Sequence, residues 1–213
     1  MKPRKLRLND LQQQWVKDWW RALQPRGEND PPLPADLLGL KRADRAQISR
    51  CTNVPDLLAQ RAVLLFAQRL ISLGGQNSFL PDEGGSYEQL ARVAAVLALV
   101  REPLHEERTL AWQLGHAAGN PRPLMSELRF MAMQRCMALD ELLLHWRRAL
   151  HLADRKANLV RLADDLLLWQ KEQGHVLARA SAGVKFRWAH DYYLSSRDQA
   201  AVRETESMTE KLA

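Results

Sequence analysis

The chain has 213 residues, 46% hydrophobic and 26% charged, a composition that excludes a disordered protein and allows a substantial core. A net charge of +6 and a pI near 9.6 suit phosphate backbones or anionic surfaces and say nothing about fold. No apolar run approaches the roughly 20 residues needed to span a bilayer, and the cationic start MKPRKLRLND lacks the apolar stretch of a secretory signal. Cys51 and Cys136 lie far apart with no second Cys or His at ligand spacing, which argues against zinc and fits a reducing compartment. The expected location is the cytoplasm.

In chain order the elements are helices. Leu8, Leu11, Trp15, Trp19 and Leu23 recur at three- and four-residue steps, with Asn9 and Gln12 at capping-box spacing, and Pro25 ends that helix. The proline-rich stretch 25–34 reads as a loop. A helix is predicted over 35–50, and another from the TNVPD turn at 52–56 to Leu73, with Pro55 tolerated in its first turn. The glycine-rich stretch 74–86 is a second loop. Ser86 and Gln89 repeat the capping-box spacing ahead of Leu90, Val93, Leu97 and Val100, which share a helical face. HEERTLAWQLGH, 105–116, predicts a further helix.

AAGNPRP, 117–123, has the small residues, Gly and Pro of a boundary. Beyond it LMSELRFMAMQRC, DELLLHWRRALHLAD (with Asp140 as cap) and NLVRLADDLLLW predict three helices, the last with Leu159, Leu162, Leu166 and Trp169 in register. No segment alternates as a strand would. The fold class is all-α: two helical bundles joined by a short Gly/Pro linker, over 1–118 and 119–196, with a polar tail at 197–213.

None of the six histidines forms an HExxH pair or another spacing that places two ligands on one helix face. Asp164 and Asp165 are adjacent, so their side chains diverge by about 100° on a helix. There is no GxSxG, Walker-type loop or strand-following GxGxxG. The expectation is no catalysis, no metal and no cofactor. Most of the seven tryptophans fall on apolar stripes; Trp20 stands off its stripe and is expected to face a protein partner.

Arginines carry the remaining signal. KRADRAQISR spreads Arg42, Arg45 and Arg50 over one broad helical face with Ile48 opposite, and later helices add Arg129, Arg135, Arg147, Arg148, Arg155 and Lys156. Arg forks two N–H groups onto one phosphate and stacks on bases, so a phosphate track is the sharper reading against an ordinary solvated face.

Five pieces, DRAQISRCTNVPDLL, SELRF, DELLLHWRRAL, RLADDLLLW and FRWAHDYY, occur in order within residues 43–193. This arrangement resembles the CasB family, the small subunit of the type I-E CRISPR Cascade complex. The stretch departs from that family's pattern in its long 74–86 loop and in Ser49, which stands where many relatives carry Arg. The resemblance implies a non-catalytic subunit of a crRNA-guided complex in antiviral defence. Its implied partners are the other Cascade subunits, a second copy of itself, the crRNA–target DNA heteroduplex and the displaced DNA strand of an R-loop, with no membrane. Because the guide reads the sequence, such a subunit needs only backbone contacts. The positions that match the family's basic residues are Arg50, Arg135, Arg147 and Arg148, with Arg45, Arg129, Lys171, Lys185 and Arg187 as further candidates.

Two other readings stay open from the residues. A helical protein–protein adaptor without nucleic-acid contact would use Trp20 and a face of Met131, Met133 and Met137. A DNA-binding regulator would need a helix-turn-helix, and its short helices around a Gly turn are not evident. In the final stretch KFRWAHDYYLSS, Val184, Trp188 and Tyr192 share an apolar side and are expected to close the last bundle. His190 and Asp191 are sequential and are expected to point apart.

Overall fold

The computed structural model describes residues 5–27, 29–75, 78–106, 108–115, 122–173, 175, 177 and 179–194. Most of the predicted linker and the whole tail at 197–213 fall outside the described residues. The ordered elements are α1 (Asp10–Ala22), α2 (Arg42–Arg50), α3 (Val54–Leu58), α4 (Arg61–Ser72), α5 (Gly84–Leu97), β1 (Glu102–Pro103), α6 (Leu110–Gly115), α7 (Glu127–Arg135), α8 (Leu139–Leu152), β2 (Lys156–Ala157), α9 (Leu159–Glu172) and α10 (184–194). The all-α expectation holds, apart from one two-residue parallel bridge in which Glu102 and Pro103 lie beside Lys156 and Ala157. No helix is long and apolar enough to cross a membrane among the described residues.

α1 begins as its sequence dictates. The Asn9 side chain accepts from Gln12 N at 2.9 Å while Gln12 Oε1 accepts from Asn9 N at 3.0 Å, closing the capping box. The same two side chains reach α4, where Gln12 Nε2 donates to Leu70 O and Asn9 Nδ2 to Leu73 O at 2.8 and 2.9 Å. One pair of residues thus satisfies orphan groups at the start of α1 and the end of α4. Gln12 takes the inward position, and the neighbouring Leu11 is left 65% exposed, off the stripe predicted for it. Trp15 and Trp19 donate their indole N–H groups to Phe66 O and Ala62 O and complete the α1–α4 contact.

The helix predicted over 35–50 is interrupted. A single 3-10 turn spans Ala35–Leu37, and α2 begins only at Arg42 after extended backbone at Lys41. The helix predicted from 52–56 to Leu73 is two helices, because Gln60 adopts extended backbone (ψ 122°) between α3 and α4. Pro55 does sit in the first turn of α3. Among the described residues of the helix predicted at 105–116, only α6 is helical, and residues 107 and 116 lie outside the described residues.

α5 is the centre of the molecule. Every residue from Leu90 to Val100 is buried, and the helix packs against α2, α3 and α4 as well as α8 and α9. A helix apolar all round belongs inside a core, so LARVAAVLALV is a buried rod and not the amphipathic helix its face-sharing suggested. It starts three residues early: Glu83 is the N-cap, and Ser86 lies inside the first turn with a buried hydroxyl that has no partner. Arg92, 6% exposed, emerges from α5 toward Glu88 and Asp140. Asp140 is accordingly not the cap of α8, which is Ala138; it sits in the first helical turn, where its charge suits the helix dipole.

The aromatic residues of the second half form a continuous packing line. Trp146 meets Trp169 edge-on at 6.0 Å, and Trp169 meets Trp188 edge-on at 4.9 Å. Val184, Trp188 and Tyr192 of α10 are buried, as their spacing predicts. Tyr192 stacks on Phe130 at 4.1 Å and donates to Met125 O at 2.6 Å, and burial pushes its phenol up to about 12. Asp164 and Asp165 diverge as adjacent helical residues must. Asp164 accepts from Arg7 N and Leu8 N, whereas Asp165 accepts from Arg187 and from Trp188 Nε1.

Candidate nucleic-acid interface

Of the nine predicted site residues, Arg50, Arg129, Arg135 and Arg148 are exposed and form no ion pair among the described residues. Arg45 is turned inward. Its Nε donates to Ala98 O at 2.8 Å, its Nη2 to Val100 O at 3.0 Å and its Nη1 to Gln24 Oε1 at 2.7 Å. It thereby caps the carbonyl end of α5, where a cation also suits the dipole. The sequence placed Ile48 opposite it, but residues three apart share a helical face, and the buried Ile48 draws Arg45 inward with it.

Arg147 and Arg148 part company as neighbours on α8. Arg147 is half-buried and donates from Nη1 to Cys51 O at 2.9 Å, tying α8 to the end of α2 beside Arg50. Burial lowers its pKa, and its Nε and Nη2 are buried without partners. Arg187 is 7% exposed and ion-paired with Asp165 at 3.2 Å, so the opening it offers to a phosphate is small. Lys171 lies 5.0 Å from the Phe79 ring centre, and Lys185 lies 5.9 Å from that of Trp169, with its pKa lowered by burial.

The structure brings together cations that the sequence reading scattered. Arg129 of α7 and Arg148 of α8 line one cavity of about 520 Å³ with His145 and His151. His151 in turn is 3.3 Å from Arg155, and its pKa is lowered by burial, then by Arg155 and Arg101. Arg45 is lowered by burial, then by Arg101, Arg155 and Arg42. Arg42, Arg101 and Arg155 lie near one another, Arg155 meets His151, and His151 shares the cavity with Arg148 and Arg129, so these six groups form a basic band. Among the described residues none of its arginines is within salt-bridge reach of a carboxylate.

Arg101 and His151 were missed as site residues, and Arg155 was named only among the scattered arginines, because their meeting depends on tertiary structure. Asp154 and Arg155 both adopt left-handed backbone (φ 52° and 59°), which is costly for residues other than Gly. The turn lets Arg155 O accept from Arg101 N at 2.8 Å, and the β1–β2 bridge follows directly. No local signal beyond the RK pair at 155–156 announces it.

Other candidate sites resolve more simply. Trp20 is not turned toward a partner: it is 8% exposed and donates to Val100 O at 2.9 Å. Nor do Met131, Met133 and Met137 form a face, since Met133 is fully buried while Met137 is 60% exposed. His190 Nδ1 lies 3.4 Å from Asp191 Oδ1, contrary to the expectation that they point apart. Asp191 is held by Thr109 through its other oxygen at 2.7 Å, and the imidazole turns back onto the free one. Cys136, Glu141 and His145 place their donor atoms within 4.8 Å of one another across the α7–α8 turn, a grouping the linear spacing hid. Burial and then Glu141 push the Cys136 thiol up, so it stands protonated there.

One pH effect follows. A phosphate on the band would offset the repulsion of His151 by Arg155 and Arg101, so binding takes up a proton. Affinity for a nucleic-acid strand is therefore expected to rise as pH falls through the imidazole range, from about 7.5 to about 5.5. His151→Asn should shrink that rise, and Kd measured at both pH values for both proteins is the check. An equal rise in the variant would place the proton elsewhere.

Comparison with known proteins agrees with the architecture. No curated protein gave a match to this chain. The crystal structure of CasB from Thermus thermophilus is similar in fold, with a TM-score of 0.53 and 24% identity, over 85% of this chain and 97% of that one. Residues 40–193 match the family model of the CRISPR-associated protein Cse2. That span takes in α2 through α10 and all five pieces that carried the resemblance, and the chain belongs to the CRISPR-associated Cse2 (CasB) family.

Proposed function

We propose that this chain is a non-catalytic, cytoplasmic subunit of a Cascade-type crRNA-guided complex that holds the target and displaced strands of an R-loop through arginine–phosphate contacts. The observation that carries the reading is the basic band without carboxylate partners, set on helices braced by α5. Unpaired guanidinium groups at fixed positions are what sequence-independent backbone binding requires, since the guide supplies sequence recognition. Arg50 and Arg135 are further exposed arginines without ion pairs among the described residues. Arg45, Arg147 and Arg187 support it from inside, and their internal bonds explain why arginine is needed there without a phosphate. Other Cascade subunits and a second copy of the chain are the protein partners, and the exposed Leu124 and Leu128 ahead of and on α7 are apolar groups available to them.

Alanine substitutions separate the two roles. Arg148→Ala should weaken binding about equally across DNA sequences and flatten the slope of log affinity against log salt by roughly 0.7 for a single strand. Arg147→Ala should instead lower the melting temperature, because Cys51 O loses its donor, at a cost of about 1–3 kcal/mol. The measurements are strand affinity at several salt concentrations, R-loop lifetime in the assembled complex, and thermal melts. Unchanged slopes and lifetimes for Arg148→Ala, Arg129→Ala and Arg50→Ala together would return the arginines to the status of a solvated face.

A further inference from the structure

We propose that the cavity between α7 and α8 takes up a single unstacked nucleotide, its base against an apolar floor and its phosphate on Arg129 and Arg148. This rests on the nucleic-acid reading above and adds a base-binding element to it. The cavity volume of about 520 Å³ lies within the roughly 300–1,000 Å³ usual for small-molecule sites. Its floor is apolar: Met125 is 3% exposed, and Ala132 and Leu152 flank it. Its walls carry Arg129, Arg148, His145 and His151, and no carboxylate lines it.

That combination selects among ligands. A free phosphate would use the arginines and leave the apolar floor without purpose. An uncharged apolar ligand would leave two guanidinium groups unanswered, and a cation is repelled. A nucleotide answers both halves. Guanidinium and imidazole groups present flat faces on which any base stacks, and imidazole nitrogens can serve a base edge. The floor is also held in place before any ligand arrives, since Met125 N donates to Leu114 O at 3.1 Å and Met125 O accepts from Tyr192. A preformed cavity spends little binding free energy on ordering itself.

The test uses the full chain and two sets of probes. The first set is a thymidine homopolymer strand and a strand of equal length with one run of abasic sites. The second is thymidine monophosphate, thymidine and inorganic phosphate. Stacking of one base predicts that the intact strand binds about 5- to 100-fold tighter than the abasic strand. Thymidine monophosphate should bind more tightly than thymidine or phosphate alone. Ala132→Phe narrows the cavity without removing a charge and should bring the intact strand down to the affinity of the abasic one.

Equal affinity for intact and abasic strands overturns the proposal, as does an Ala132→Phe protein that keeps the full difference. Tighter capture of an Asp-rich peptide than of thymidine monophosphate would assign the cavity to a protein segment and also overturn it. If thymidine monophosphate binds in an Ala132→Phe-sensitive way while neither strand binds, the cavity proposal stands and the R-loop reading falls. Should thymidine monophosphate and the abasic comparison both show nothing while strands still bind with a steep salt dependence, the band survives and the cavity proposal does not.

Discussion

Replacing Trp188 with Ala is expected to lower stability by about 3–5 kcal/mol, the range for large aromatic truncations in a packed core. The indole is fully buried, forms one end of the Trp146–Trp169–Trp188 line and donates to Asp165 Oδ2 at 2.9 Å. Removing it opens a cavity against Trp169 and takes a donor from a buried carboxylate in one step. Trp188→Phe separates the two effects: most of the volume remains, and the loss should fall to about 1.5–3 kcal/mol, as for a hydrogen bond to a charged group. Denaturant titration at fixed pH gives both values. A Trp188→Ala protein that melts like the wild type yet no longer binds nucleic acid would make Trp188 a stacking platform and refute its place in the core.

The Asp165–Arg187 pair should show the largest non-additivity in the molecule. Both partners are buried, and Asp165→Asn puts an amide N–H where either Arg187 or Trp188 Nε1 donates, at an expected cost of about 1–3 kcal/mol. Changing both residues together, Asp165→Leu with Arg187→Met, should recover most of that loss, because the pair's attraction does little more than offset the desolvation of its members. The carboxyl itself reports this balance. Burial pushes the Asp165 carboxyl up to about 6 from its ordinary 3.8, against the opposing pull of Arg187 and the Trp188 hydrogen bond. A carboxyl raised in the folded state holds a proton that the unfolded chain has released, so this group's contribution to stability is largest below about pH 4 and fades as pH rises to about 6. The wild type should therefore gain on Asp165→Asn as pH drops from 7 toward 5. A gap that stays constant over that interval, or a double variant no more stable than Asp165→Asn, would contradict the account.

Much of the architecture was legible from residue spacing. Asn9 with Gln12, the Leu159–Trp169 register and the Val184–Trp188–Tyr192 stripe each encode their element locally, and each is found where the spacing put it. The failures share a cause. Asn, Ser and Asp cap helices in many contexts, so Ser86 and Asp140 read as caps, but the chain turned into α5 and α8 slightly earlier. Leu11 lost its inward place to Gln12 because the capping box ties Gln12 to α4, a long-range contact that periodicity does not contain. The break at Gln60 has no Gly or Pro to mark it.

The candidate interface was less legible still. Which arginines face solvent depends on a rotation of α2 set by Ile48, and the meeting of Arg101 with Arg155 depends on two left-handed residues that no propensity would place there. Arg129, Arg148, Arg50 and Arg135 stay exposed because nothing inside the fold asks for them. Arg45 and Arg187 were drawn inward by an open helix end and by a buried carboxylate, neither of which can be seen from an arginine's own neighbours.

The burial of α5 on all sides has a mechanical meaning. A strand held on Arg148, as proposed, would load α8, and α8 bears on a rod that is also gripped by α2, α3, α4 and α9. There is no soft layer into which the strain can relax, so the distances between basic groups along α8 stay near the helical rise of about 1.5 Å per residue. Under the proposed function the surface would act as a rigid gauge and not as a clamp. A single strand, which is far more pliable, would have to bend to fit it, and the entropy lost on binding would fall almost wholly on the nucleic acid.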